Sequence, residues 1–232
     1  MAFTAKDVLG RASTILSDAS GKRWLFTELL DWLNDAMREV TIQAPHAVSK
    51  SVVLTLIPGT RQVLDPQYSA MLRVNCNVTA TGEVISARGN TITPIAREIL
   101  DASIPGWQNT VTLPYQIEVA HVIDDPALPR EYYVAPGNTG TGKIEAVVAK
   151  RPSVIVGPAN PLVLAGYTTV VDMDDMYLNA IVDYVLSRAF SKDIQVPGAP
   201  QRAMAHYQQF AQTFGIDMQN EASINPNTRV GA

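Results

Sequence analysis

The spacing of apolar residues along this chain changes twice, from a helical period to an alternating one and back again, and this limits the fold more than any motif does. Near the start, Val8, Leu9, Ala12, Ile15, Leu16 and Ala19 recur at helical spacing. Thr4 with Asp7 has the spacing of a capping pair that opens this helix, and Gly21 is placed to end it. A second helix follows a short turn. Thr27 is its expected cap, Glu28 and Asp31 suit its positive end, and Leu29, Trp32, Leu33, Ala36, Met37 and Val40 form its stripe, with Pro45 as the stop.

From about Val48 to Tyr167 the pattern reads as strands. SVVLTLI, the turn PGT and RQVLD look like a hairpin, and MLRVNCNVTA with TGEVISARGN gives another strand, turn and strand. REYYVAP and KIEAVVAKRP flank GNTGTG as a third pair. PIAREILDASIPGW interrupts the strands with one or two helical turns that end at Pro105. Helical spacing then returns. DMDDMYLNAIVDYVLSRAFSKD places Tyr177, Ala180, Ile181, Tyr184, Val185 and Ala189 on one face with Leu178, Val182 and Leu186 beside them, a stripe wide enough for burial on two sides. After VPGAP, Ala203, Tyr207, Phe210, Ala211 and Phe214 repeat along a last helix that Gly215 closes.

The expected fold class is therefore α+β, with a four-helix core built from N- and C-terminal helix pairs and an antiparallel β region inserted between them. Residues 1–47 and 168–216 would form the helical domain, 48–167 the β-rich insertion, and the polar stretch 217–232 an extended tail. Trp24, Leu29, Trp32, Leu33, Tyr177, Ile181, Tyr184 and Phe210 are the expected core of the helices.

Motifs that suggest chemistry all have better structural explanations. In GNTGTGK, Gly137, Gly142 and Lys143 have the spacing of a phosphate-cradling loop. However, Ile144 stands where a magnesium-holding hydroxyl belongs, and the following IEAVVAK reads as a strand instead of a helix N-terminus. Asp172, Asp174 and Asp175 open a helix, where carboxylates favour the exposed N–H groups, and Asp124–Asp125 precedes Pro126 as a turn. His46, His121 and His206 are scattered, with no metal-ligand spacing to Cys76. A lone cysteine excludes an internal disulfide and reads as a buried, inert thiol. Asn77-Val78-Thr79 matches a glycosylation acceptor that carries no weight without a secretory signal, and MAFTAKDVLGRAS lacks one. No run approaches the ~18 apolar residues of a membrane span, so the expectation is a soluble protein with no membrane partner. Lys143, Lys150, Arg130 and Arg151 read as solvated strand ends, and a net charge of −4 gives no global pull toward nucleic acid. The reading is of a protein that is not an enzyme and has neither metal nor cofactor. Only 17% of residues are charged, below the usual quarter, which suits a chain that covers part of its surface with partners.

RWLFTELLDWLNDAMREVTIQAPHA, then LTLIPGTRQVLD, LRVNCNV, ILDASIPGW and PREYYVAP, and finally MYLNAIVDYVLSRAFSKD and RAMAHYQQFAQTFG follow one another in an order that resembles the head-to-tail adaptor (connector) proteins of short-tailed bacteriophages. The resemblance spans roughly residues 1–216 and is most specific in W-L-N-D and in the segment around D-Y-V-L-S-R-A-F-S-K-D; it departs at GNTGTG, where a proline-rich turn is expected. It implies a structural virion protein, made in the host cytoplasm. The protein would form a ring, usually of twelve subunits, between the portal protein and the tail or nozzle. DNA would pass through the lumen without sequence-specific binding, and a mildly acidic ring would not hold it. The tail after Gly215, with Ile216, Met218, Ile224 and Arg229, would order on the portal or on a neighbouring subunit. A competing reading is a monomeric carbohydrate- or ligand-binding module that uses Trp107, Tyr115, Tyr132 and Tyr133 of the β region for stacking. A third, a hydrolase, would need His121 and Asp124 to meet in a cleft.

Overall fold

Thr4 and Asp7 close a full capping box: the Thr4 N–H donates to Asp7 Oδ2 at 2.8 Å, and the Asp7 N–H reaches Thr4 Oγ1 at 3.4 Å. The helix they start, α1 (Ala5–Ile15), stops short of Gly21. Asp18 is the reason. Its carboxylate accepts the backbone N–H groups of Lys22, Arg23 and Trp24, offering the chain a turn that competes with further helix. Ile15 and Ala19, expected on the apolar stripe, are exposed. α2 (Phe26–Gln43) begins at Leu25 without a side-chain cap, so Thr27 lies inside its first turn instead of capping it. Burial of Phe26, edge-on to Tyr167 at 6.1 Å, brings the start forward. Pro45 follows the end of α2 and opens a short 3₁₀ turn.

The computed structural model describes residues 2–125, 127–193 and 195–215. The protein is a mixed α+β chain that divides into two compact units: residues 1–47 with those from 152 onward, and residues 48–151. In the first unit, α4 (Leu178–Lys192) packs against α1, α2 and α5 (Ala199–Phe214). This explains its wide stripe: Ala180, Ile181, Val182, Tyr184, Val185, Leu186 and Ala189 are all buried. Phe210 contacts Tyr184 and Phe214 at ring distances of 5.0 and 5.1 Å, and Gly215 ends α5 in the left-handed region at φ 65°. Segment 152–167, assigned above to the β insertion, runs along the helices instead. The Asn34 carboxamide joins it to α2, and Lys6 of α1 donates its N–H to the carbonyl of Tyr167 at the far end of the segment.

The second unit contains two four-stranded sheets. One has the order β1 (Ser49–Thr55), β8 (Lys143–Lys150), β3 (Tyr68–Thr81), β4 (Val84–Thr91). The other runs β2 (Gly59–Val63), β7 (Glu131–Asn138), β6 (His121–Asp124), β5 (Thr93–Pro94). Among the described residues the named strands pair antiparallel except at the short β5–β6 contact, which is parallel. Val52, Val74, Val122, Val134, Ile144, Ala146 and Val148 meet between the sheets. A third layer, α3 (Arg97–Ser103) and the loop after it, covers the outer face of the second sheet through Leu100, Trp107, Ile123 and Ala135.

Of the three expected hairpins, only β3–β4 forms. β1 and β2 fall in different sheets, as do β7 and β8, so PGT and GNTGTG are crossovers between layers. The physical reason lies in two side chains. Gln62 donates to the carbonyls of Ile57 and Gly59 and accepts the Ile57 N–H, pinning the first crossover. Asn138 pins the second.

Candidate interaction surfaces

Of the eight expected core residues, Trp24, Leu29, Leu33, Ile181, Tyr184 and Phe210 are buried, whereas Trp32 and Tyr177 are only partly so. Tyr177 lies in a 3₁₀ turn ahead of α4 and stacks on Phe214 at 4.8 Å. Leu30 and Asn34, one helical turn apart on α2, are buried where the stripe places neither. Ile216, Met218, Ile224 and Arg229 lie outside the described residues.

In the loop resembling a phosphate cradle, both glycine N–H groups after Asn138 are already committed. Asn138 Oδ1 accepts the Gly140 and Gly142 N–H groups at 2.8 and 3.1 Å, while Nδ2 donates to the carbonyls of Gln116 and Ile117. A Cβ on Gly142 would fall 2.2 Å from both Asn138 Nδ2 and the Ile117 carbonyl, so this glycine is required by packing. Asn77, in the glycosylation triplet, is buried; it bonds both the N–H and the C=O of Val119 and also donates to the Asn90 carbonyl. Asn34, Asn77, Asn138 and Gln62 thus share one device, in which a buried carboxamide stands in for a missing strand neighbour. The sequence signal for it is a carboxamide at a position where the apolar pattern demands a hydrophobe.

The side chains required by the alternative readings are committed elsewhere. Trp107 is buried under the second sheet, donating Nε1–H to Asp101 at 2.7 Å and standing edge-on to Tyr133. Tyr132 lies between the sheets, and burial pushes its hydroxyl pKa far above the ordinary value. Tyr115 is half-buried over Gly137, and Arg97 lies over Tyr133. These four rings do not form a stacking platform. His121 Nδ1 is 2.8 Å from Thr93 Oγ1; Asp124, three residues along the same strand, projects from the opposite face, so the two do not meet. Burial, then the Glu145 charge, raises the Cys76 thiol pKa and keeps it protonated, while Glu145 is held below the usual carboxylate range by its two bonds from Arg88. Among the described residues no three His, Cys, Asp or Glu gather as metal ligands, and no helix is long and apolar enough to cross a membrane.

Surfaces remain as candidates. Gly10, Arg11, Thr14, Ile15, Asn179 and Val182 line an open groove of about 500 Å³ between α1 and α4, with Arg11 bonded to Asn179 at 2.6 Å. Along segment 152–170, Val154, Val156, Leu162, Val163 and Val170 are exposed.

A family model described as SU10 adaptor protein matches residues 3–230, which takes in both units and both places where the chain passes between them. No curated protein matches the sequence.

Proposed function

The chain belongs to the SU10 adaptor protein family, a family of phage structural proteins and not of enzymes, and from that premise we propose that it forms a ring between the portal and the tail of a virion. The observation that carries this reading is the extent of the match, which covers nearly the whole chain. The helical unit, the β unit and their split connectivity therefore belong to the family together.

In this reading the helices from both ends of the chain form the core that packs sideways against copies of itself, by heterologous contacts that close into a ring, usually of twelve. The β unit meets the tail or widens the wall. The residues after Gly215 dock on the portal or on a neighbouring copy. DNA passes through the lumen, and the chain's net charge of −4 suits passage without capture. The protein is made in the host cytoplasm and resides at the head–tail junction. Exposed apolar side chains on the helical unit, such as Ile15, Ile42 and Val156, support a surface built to be covered.

Electron microscopy of the purified chain mixed with the portal of its own phage tests the proposal. Rings stacked coaxially on the portal are expected, and a chain that stays monomeric with and without portal would overturn it.

A further inference from the structure

Residues 152–171 carry no charged side chain, yet much of this segment is at the surface, with Val154 61% and Val156 79% exposed. Between these two valines, Ile155 is buried, and both its N–H and its C=O bond to the Asn34 carboxamide. One side chain can take both groups of a single residue only where the backbone is extended and they point the same way. In extended backbone the neighbours then direct their N–H and C=O groups to the opposite edge. Among the described residues nothing bonds the backbone of Val154 or Val156. The segment belongs to neither sheet; it is extended chain with one edge of Ile155 filled by Asn34 and the other edge, at Val154 and Val156, without a bonded neighbour among the described residues. Such an edge is a template for a further strand.

The β unit offers a matching edge. Among the described residues β4 is the outermost strand of its sheet, pairs only with β3, and is exposed along almost its whole length. β1, at the other side of that sheet, is less available because Glu83 takes its Val53 N–H at 3.0 Å. Arg88, the one charged residue of β4, is neutralised by two bonds to Glu145, so pairing at that position leaves its charge compensated.

We infer that the open edge at Val154–Val156 of one copy of this chain pairs with the β4 edge of the next copy. The two edges are different surfaces, so the contact is heterologous and repeats from copy to copy, as ring closure requires. The inference rests on the ring reading above and adds to it the seam between subunits.

Two experiments test it. Val156→Cys and Ala87→Cys single variants, mixed under assembly conditions and oxidised, give disulfide-linked pairs containing one of each; neither variant alone does. Absence of the mixed pair, or efficient linkage of Val156→Cys to itself, overturns the assignment. Val156→Pro removes the N–H from the open edge while leaving an exposed, extended position. It keeps the wild-type melting temperature but needs at least a tenfold higher concentration to form rings, whereas Val156→Thr assembles like the wild type. Rings of Val156→Pro at the wild-type concentration would overturn the seam and leave the ring reading standing. A wild-type chain that never forms rings would remove both.

Discussion

Asn34 and Ile155, 121 residues apart, are joined at both ends of one carboxamide: Asn34 Nδ2 donates to the Ile155 carbonyl at 3.0 Å, and the Ile155 N–H donates to Asn34 Oδ1 at 2.8 Å. All of these groups are buried, so each would carry a desolvation cost if left unpaired. The pair lies within the helical unit and holds the returning chain against α2.

Asn34→Ala leaves two backbone groups of Ile155 without partners in a dry site. A loss of about 3 kcal/mol is expected, since each such group costs roughly 1–3 kcal/mol. Urea unfolding followed by helical circular dichroism reads it, and an unchanged midpoint would show that water replaces the amide there.

Glycines give a paired prediction of opposite sign. Gly142→Ala should destabilise the β unit strongly, because its Cβ would lie 2.2 Å from the Ile117 carbonyl, a backbone atom that cannot step aside. Gly10→Ala should stabilise the protein by about 0.5–1 kcal/mol, since the position is helical and the new methyl meets only the Leu164 side chain at 3.6 Å. Thermal melting of the two variants is sufficient to check both.

Large-to-small changes separate a core aromatic from a half-buried one. Phe210, fully buried against Tyr184 and Phe214, should lose about 3–5 kcal/mol on replacement by Ala. Trp32 has the more conspicuous place in the sequence, but it is only partly buried and should lose less than Phe210. Equal losses in denaturant titrations would contradict the burial seen here.

Acidification should weaken the fold through its bonded carboxylates. The backbone N–H of Trp24, followed by those of Lys22 and Arg23, holds Asp18 below its ordinary value of 3.8, and Arg88 does the same for Glu145. A group whose pKa is lowered by folding contributes stability above its unfolded pKa and loses it as pH falls through the folded one. Stability should therefore decline from the ordinary carboxylate range near pH 4 downward, and Asp18→Asn should flatten that decline. A melting temperature with the same pH slope in the variant would rule Asp18 out as a contributor.

Truncation after Gly215 should leave the described fold intact, because α5 already ends there in a left-handed cap. The shortened chain should melt like the full one but dock less tightly on the portal. Normal virion assembly with the truncated chain would count against a docking role for Ile216, Met218, Ile224 and Arg229.

Much of this architecture was legible in local pattern. The Thr4–Asp7 box, the wide stripe of α4, the glycine after Phe214 and the β3–β4 hairpin each depend on residues close together in sequence, where spacing and propensity act directly. What remained hidden depends on side-chain bonds to backbone groups, which leave no mark on the apolar period. SVVLTLI and RQVLD alternate as well for one sheet as for two, and only Gln62, folding back on Ile57 and Gly59, directs the chain across to the second layer. Asn34 and Asn77 find their partners, Ile155 and Val119, only in the folded chain, as Asn138 does with the carbonyls of Gln116 and Ile117. By itself the sequence determined the main helices and most of the strands, since that choice is set by the period of burial along one segment, but not the course of 152–167. The tertiary structure alone decided which edges pair and which polar group completes an unpaired backbone, since those outcomes depend on what arrives from elsewhere in the chain.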